Sequence, residues 1–417
     1  MKLLIGGSPC THWSIAQTKN RETEASGIGW ELFLNYRIAR DKYKPDFFLY
    51  ENNKSMSPAI RAQITAELGV EPVLINSALV SAQNRQRLYW VGKRNPDDTY
   101  SQVRVEQPED RGILLRDILE TGIAWQEKSY CIAATEYKGS NPQQTLSKHR
   151  RTMVAEPVRI GTIENDAKNQ AFDSQQYRVY SPDAKSVTLC GQGGGVGAKT
   201  DLYAVPVPEP VNETVDGKAQ CLRATYYKDG IRNMVGNTVD RKTCVAVPVG
   251  TATGQQSILV VTAPGKSMPV YEVRNGRIAI KGKEYPIKLA DGFYIIRKLT
   301  VTECKRLQTV PDTYAFPVSA TQAYKMLGNG WTVDVIAHIM SHFTGLTEEP
   351  VEVLSMYDGM SCGHIALDKL GAEITTYYAT EIDKYAVQTT QHNYPDTMQL
   401  GDAFQVRDDD WRLGDKL

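Results

Sequence analysis

The chain has 417 residues and a mass of 46.5 kDa, too long for a peptide or disulfide-knot scaffold and suited to one large domain with an insertion, or to two domains. Hydrophobic residues make up 41% and charged residues 23%, an ordinary globular composition without an apolar run long enough to span a bilayer. The formal net charge is zero, yet residues 125–290 hold 22 Lys and Arg against 15 Asp and Glu, while residues 346–417 hold 5 against 14, so a polyanion is expected to contact the basic middle only.

In chain order, a short apolar strand over 2–5 runs into Gly6-Gly7-Ser8-Pro9, which ends the apolar stretch before it could serve as a signal peptide; a cytoplasmic protein, bacterial or phage-encoded, is expected. A helix over 29–41, a strand over 46–50, a helix over 58–68 and a strand over 73–75 follow, the rhythm of a parallel sheet covered by helices. From residue 125 the chain turns to Thr, Val, Tyr and Gly with frequent turn signals, which predicts a β-rich insertion over 125–290. Inside it Cys131-Ile132-Ala133-Ala134-Thr135 resembles Cys221-Leu222-Arg223-Ala224-Thr225, and Thr188-Leu189-Cys190-Gly191 begins a shorter third copy. The copies close on Val154-Ala155-Glu156-Pro157-Val158, Tyr203-Ala204-Val205-Pro206-Val207 and Val245-Ala246-Val247-Pro248-Val249; hairpins from one duplicated pattern fit their unequal spacing better than a solenoid. The α/β rhythm returns over 291–345, with a helix over 299–307 opened by the capping-box pair Thr300 and Glu303 and another over 332–342. Residues 346–417 add a strand entering a glycine turn at Tyr357-Asp358-Gly359, a helix through Asp368, and a strand reaching Glu381-Ile382-Asp383.

Two turns carry the chemistry. Tyr357-Asp358-Gly359 and Gly363 lie between a strand and a helix, where backbone N–H groups can meet a nucleotide-like ligand. Glu381, about 20 residues on at the next strand end, can accept two ribose hydroxyls, and Asp402 can hold an adenine amino group. The turn lacks the glycine order expected for a pyrophosphate, so an adenosine without phosphates, S-adenosylmethionine, is the expected cofactor. Cys10 sits just past the first strand on a turn stiffened by Pro9, a place for a nucleophile as well as for a buried thiol. The other six cysteines (131, 190, 221, 244, 304 and 362) form no metal or CxxC pattern, and no metal is expected.

Ser8-Pro9-Cys10, Glu51-Asn52-Asn53, Gln83-Asn84-Arg85-Gln86-Arg87, Arg297-Lys298-Leu299-Thr300 with Glu303 and Arg306-Leu307-Gln308, and Gly328-Asn329 together resemble the ordered motifs of DNA cytosine-5 methyltransferases, nearest the de novo branch and its phage and bacterial relatives. The cofactor-binding turn normally comes first in that family; here it follows the motif that normally closes the protein, so the chain resembles a circular permutation. The resemblance implies a Rossmann-like S-adenosylmethionine-dependent methyltransferase fold with a mostly parallel sheet, plus a small β-rich target-recognition domain over 125–290. The catalytic part would then divide into 1–124, 291–345 and the cofactor-binding 346–417.

It also implies roles. Cys10 is the thiolate that adds to carbon 6 of a flipped-out cytosine, Glu51 acts on ring nitrogen 3, Arg87 holds the cytosine carbonyl oxygen, and Arg85 orders the catalytic loop or a phosphate. Met360, Ser361, Ile382, Asn329, Thr332 and Pro9 join Tyr357, Asp358, Gly359, Gly363, Glu381 and Asp402 around the cofactor. The polar segment 11–28, with Ser14, Gln17, Lys19, Asn20, Arg21 and Gly27, would close over the flipped base. Lys138, Arg150, Arg151, Arg223, Lys228, Arg232, Arg241 and Lys242 are candidates for phosphate or guanine contacts. Double-stranded DNA is the expected partner of a monomer, in a phage setting or beside a cognate restriction endonuclease. An RNA cytosine-5 methyltransferase, an inactive DNA-binding protein and a modified sulfonium donor are the competing readings.

Overall fold

The computed structural model describes residues 1–9, 12–13, 21–138, 142–148, 151–157, 159–162, 178–180, 202–203, 210–211, 244–245, 259–261, 267–280, 282–289 and 291–408. Its largest sheet has eight strands. Across the sheet lie, in order, Met398–Gly401, Ile374–Thr380, Val351–Met356, Lys2–Gly6, Phe47–Asn53, Gln86–Arg94 and Pro72–Asn76, with Tyr100–Gln102 also pairing onto Gln86–Arg94. The first five run parallel; Gln86–Arg94 is antiparallel to each of its three neighbours. The sheet is therefore mostly parallel with one reversed strand, which the alternation of strands and helices did not foretell.

Side chains alternate between the faces, as strand geometry requires. Leu3, Ile5, Leu49, Val353 and Ala379 enter one core with the helices Val301–Leu307, Ala320–Asn329, Val333–Met340 and Cys362–Leu370. Leu4, Phe48, Tyr50, Leu354 and Met356 enter the other with Gly27–Tyr43 and Pro58–Leu68. Leu3, Leu4 and Ile5 are fully buried, each contributing about 1.5–3 kcal/mol.

Local chemistry explains the helix ends. Ser57 accepts from Ile60 N at 3.2 Å, Pro58 occupies the first turn, and Gly69 closes the helix at φ 73°. Thr300 and Glu303 form the expected capping box. The helices Ala320–Asn329, Lys384–Asn393 and Ala403–Asp408 were not expected, and the strand Phe47–Asn53 runs three residues beyond the anticipated end, taking Glu51 into the sheet.

A second sheet orders Lys283–Pro286, Arg277–Ile280, Ser267–Arg274, Gly292–Lys298 and Met153–Pro157, with Leu259–Val261 on Ser267–Arg274. Asn275 and Gly276, at φ 51° and 66°, turn the hairpin between Ser267–Arg274 and Arg277–Ile280. Gly292–Lys298, assigned from sequence to the returning α/β part, belongs to this β-sheet because it pairs on both sides within it. Only part of the repeat falls within the described residues. Its first opening lies outside any strand, and its three closing stretches pair with different partners: Met153–Pro157 with Gly292–Lys298, Leu202–Tyr203 with Arg178–Tyr180, and Cys244–Val245 with Pro210–Val211. The second and third openings lie outside the described residues, as do 204–207 and 246–249 of the closing stretches.

Candidate active site

Strand register brings the motifs together. Gly6 pairs with both Tyr50 and Met356, Met356 with Thr380, and Thr380 with Gly401, so five parallel strands end at nearly one level. Past that row come Gly7-Ser8-Pro9, Glu51-Asn52-Asn53, Tyr357-Asp358-Gly359, Glu381-Ile382-Asp383 and Asp402. Arg87 joins from the reversed strand, opposite Asn53. The carboxyl edge of a parallel sheet is where α/β proteins bind their ligands.

Glu51 faces two donors. Arg87 Nε lies 3.0 Å from Oε1 and Trp331 Nε1 donates to Oε2 at 3.0 Å. Beside it, Asn52 Nδ2 donates to Ser8 O at 3.2 Å and to Tyr50 Oη at 3.2 Å, while Ser8 Oγ and Tyr50 Oη are 2.6 Å apart. A methyl group on Gly7 would lie 2.8 Å from Glu51 O. These contacts hold the chain just upstream of Cys10 against Glu51. Cys10 itself, with Ser14 and Gln17, lies outside the described residues. Arg21 donates to Trp13 O at 3.2 Å and Ser55 O at 2.6 Å, pinning its segment to the loop after Glu51-Asn52-Asn53.

Arg85 is buried, and its guanidinium donates to Gly328 O at 3.3 Å, Gly330 O at 2.8 Å and Ile132 O at 3.3 Å. It therefore clamps the turn around Asn329 rather than standing beside Glu51. Arg85 and Arg87 converge instead on Cys131, at 3.3 and 3.9 Å from Sγ. Burial alone would raise that thiol, but the two guanidiniums overcome it and hold Cys131 below the ordinary thiol range. Asn329 ends its helix exposed; Thr332 is buried, donating to Gln308 Oε1 at 2.8 Å and accepting from Ser77 Oγ at 2.8 Å. Gln308 also holds Leu327 O at 2.6 Å, and Gln83 reaches Gln308 and Ile132 N, so the residues 328–330 rest on a buried amide network.

On the other side, Tyr357, Gly359 and Ser361 all have left-handed backbones, at φ 60°, 61° and 57°. Two of them lack glycine's freedom, the kind of local strain that clusters at ligand sites. Asp358 stabilises this turn by accepting from Ser355 Oγ at 2.6 Å, from Tyr377 Oη at 2.8 Å and from the Ser361 hydroxyl. Burial pushes its carboxyl up despite those hydroxyls. Glu381 accepts from Gly359 N at 2.9 Å and from Ile382 N and Asp383 N at 2.8 Å, and Asp402 Oδ1 accepts from Phe404 N at 2.9 Å. Met360 and Ser361 are buried, so they shape the turn from beneath. Gly363 allows the following helix onto the sheet, since a methyl group there would lie 2.2 Å from Ile5 Cδ1. Above the turn there is room: nothing lies within 4 Å of a methyl group placed on Gly359, and Ile382 is 76% exposed.

Arg150, Arg223, Lys228, Arg232, Arg241 and Lys242 lie outside the described residues, as does the side chain of Lys138; Arg151 is half-buried at a left-handed φ of 60°. Sequence reasoning missed Cys131 and Trp331. Cys131 stood in the repeat and Trp331 two residues past Asn329, but neither belongs to a motif that names it.

This strand order, with the turn and acidic strand ends on one edge, defines a Rossmann-like methyltransferase fold. The chain belongs to the C-5 cytosine-specific DNA methylase family, whose model matches residues 1–344, and is a DNA cytosine-5 methyltransferase. It is 26% identical to the orphan methyltransferase M.Rho11sI of Bacillus phage rho11s, over 81% of this chain and 83% of that protein. Over 27% of the chain and 19% of the other protein it is 27% identical to the DNA (cytosine-5)-methyltransferase DRM2 of Oryza sativa subsp. japonica, in accord with the branch expected from sequence. Among solved structures, the Entamoeba histolytica methyltransferase EhMeth aligns over 82% of this chain and 76% of its own at a TM-score of 0.33 and 11% identity. The family match stops before Val351–Met356, the strand that pairs with Lys2–Gly6.

Proposed function

We propose that the protein transfers a methyl group from S-adenosylmethionine to carbon 5 of a cytosine flipped out of a specific DNA sequence. The observation that carries this reading is the row of strand ends, which sets Ser8 and Glu51 beside the turn at Tyr357–Gly359 and Glu381. The cofactor supplies an electrophilic methyl group. The open space over Gly359, the exposed Ile382 and the Glu381 carboxylate fit an adenosine lying across the turn, with Asp402 toward the base and Asn329 and Pro9 toward the methionine end. Thr332 acts there indirectly, through Gln308.

The residues then divide the work on cytosine. The Cys10 thiolate adds to carbon 6 as Glu51 acts on ring nitrogen 3, which makes carbon 5 enamine-like. Arg87 turns from Glu51 to the carbonyl oxygen of the base. Once carbon 5 carries the methyl group, its proton passes to water, the C–H electron pair re-forms the 5,6 double bond, and the sulfur leaves carbon 6 as the Cys10 thiolate. The residues 125–290, basic overall, are the proposed target-recognition domain, reading base edges in the major groove as the enzyme works as a monomer.

The test is incubation with duplex DNA of mixed sequence and S-adenosylmethionine, followed by nucleoside mass spectrometry and base-resolution mapping. The expected outcome is 5-methylcytosine at one short motif. Cys10→Ala should keep cofactor binding and lose transfer, whereas Glu381→Ala should mainly weaken cofactor binding. A fully active Cys10→Ala protein overturns the nucleophile assignment.

A further inference from the structure

Glu51 depends on a group that no motif names. Its Oε2 accepts from the indole of Trp331, 280 residues away in sequence and carried by the segment between the Asn329 turn and the helix Val333–Met340. That segment is held on all sides. Arg85 and Gln308 bind the carbonyl of Gly330, a methyl group on Gly330 would lie 3.1 Å from Cys362 Sγ, and Thr332 is locked into the Gln308 network. Cys362 opens the helix that follows the Tyr357–Ser361 turn. The indole therefore runs from the cofactor side of the cleft to the carboxylate on the cytosine side.

We infer that Trp331 is a positioning residue for Glu51, its N–H fixing Oε2 as an acceptor so that Oε1 is the oxygen that meets the base once Arg87 turns away. A glutamate side chain has three rotatable bonds, and one anchored oxygen removes most of that freedom before the substrate arrives. The inference rests on the proposed role of Glu51.

The test removes the N–H in two ways. Trp331→Phe removes it together with part of the ring, and incorporation of β-(3-benzothienyl)alanine at 331 keeps the shape of tryptophan while substituting sulfur for N–H. Single-turnover methylation is measured on the full-length enzyme at saturating S-adenosylmethionine and duplex DNA, together with the cofactor Kd and the unfolding midpoint. A hydrogen bond to a charged group predicts a loss of about tenfold or more in rate for both replacements, with cofactor Kd and midpoint unchanged for the sulfur isostere. If the isostere is fully active, or if it weakens cofactor binding while leaving the saturated rate intact, the inference is overturned. Glu51→Gln separates the two failures. An inactive Glu51→Gln enzyme beside a fully active isostere overturns the role of Trp331 alone, whereas a fully active Glu51→Gln enzyme overturns the role of Glu51 and this inference with it.

Discussion

Two glycines near the cleft serve opposite purposes, and substitution distinguishes them. A methyl group on Gly328 would lie 2.2 Å from Ala134 N and 2.3 Å from Ala133 C, both backbone atoms that no rotamer change can move. Gly328→Ala should therefore cost at least ~2 kcal/mol and shift the carbonyl that Arg85 holds, lowering both the urea midpoint and activity. Gly359 meets nothing within 4 Å but sits at φ 61°. Gly359→Ala should cost only about 1–2 kcal/mol through its backbone while the new methyl group intrudes on the cofactor face, so cofactor Kd should rise more than stability falls. Equal effects on stability for the two variants would contradict this division. The motif residues were legible from sequence through their resemblance to the ordered motifs of the family. Trp331 and Cys131 were not, since their partners Glu51, Arg85 and Arg87 arrive from elements far away in the chain.

The helix Val301–Leu307 and the strand Gly292–Lys298 are tied by one side chain. Glu303 completes the capping box on Thr300 and pairs both oxygens with Arg297 at 2.9 Å. Burial alone would raise the Glu303 carboxyl, but the Arg297 guanidinium and the N–H groups of Thr300 and Glu120 hold it below the usual glutamate range. A depressed folded-state value means that Glu303 stabilises the fold above the unfolded-state value of 4.5 and loses that contribution as pH falls through its folded value. Glu303→Gln should thus cost about 2 kcal/mol at neutral pH, where it removes the buried carboxylate that pairs with the part-buried Arg297 guanidinium, and the gap to wild type should narrow steadily below pH 4.5. Chemical denaturation across pH reads both; a gap independent of pH contradicts the argument. At this scale the capping box was plain from Thr300 and Glu303, but the Arg297 pair was not. The helices Ala320–Asn329 and Lys384–Asn393 escaped notice because tertiary packing, more than local pattern, defines them.

Across the whole molecule, the strand Lys2–Gly6 is flanked by Phe47–Asn53 on one side and Val351–Met356 on the other. The residues 347–350 that lead into Val351–Met356 are exposed and make a suitable place to divide the chain. Co-expressed pieces spanning 1–347 and 348–417 should copurify and bind S-adenosylmethionine, because the second restores the sheet of the first. The 1–347 piece alone should aggregate through its open edge. A soluble, monodisperse 1–347 piece would count against the sheet order. The strand rhythm in the sequence announced an α/β fold; the position of Lys2–Gly6 in mid-sheet was not legible, because one of its partners, Val351–Met356, lies at the far end of the sequence.

That placement also has a history in time. The strand Lys2–Gly6 is made long before its partner Val351–Met356, and the ribosome adds roughly 5–20 residues per second, so the middle of the sheet stays half-built while the intervening chain is synthesised. Pairing across so long a separation in sequence is intrinsically slow. The nascent chain should therefore depend on chaperones that shield Leu3, Leu4 and Ile5 until the late strands emerge, and its yield in cells should respond to chaperone supply more than its equilibrium stability would indicate.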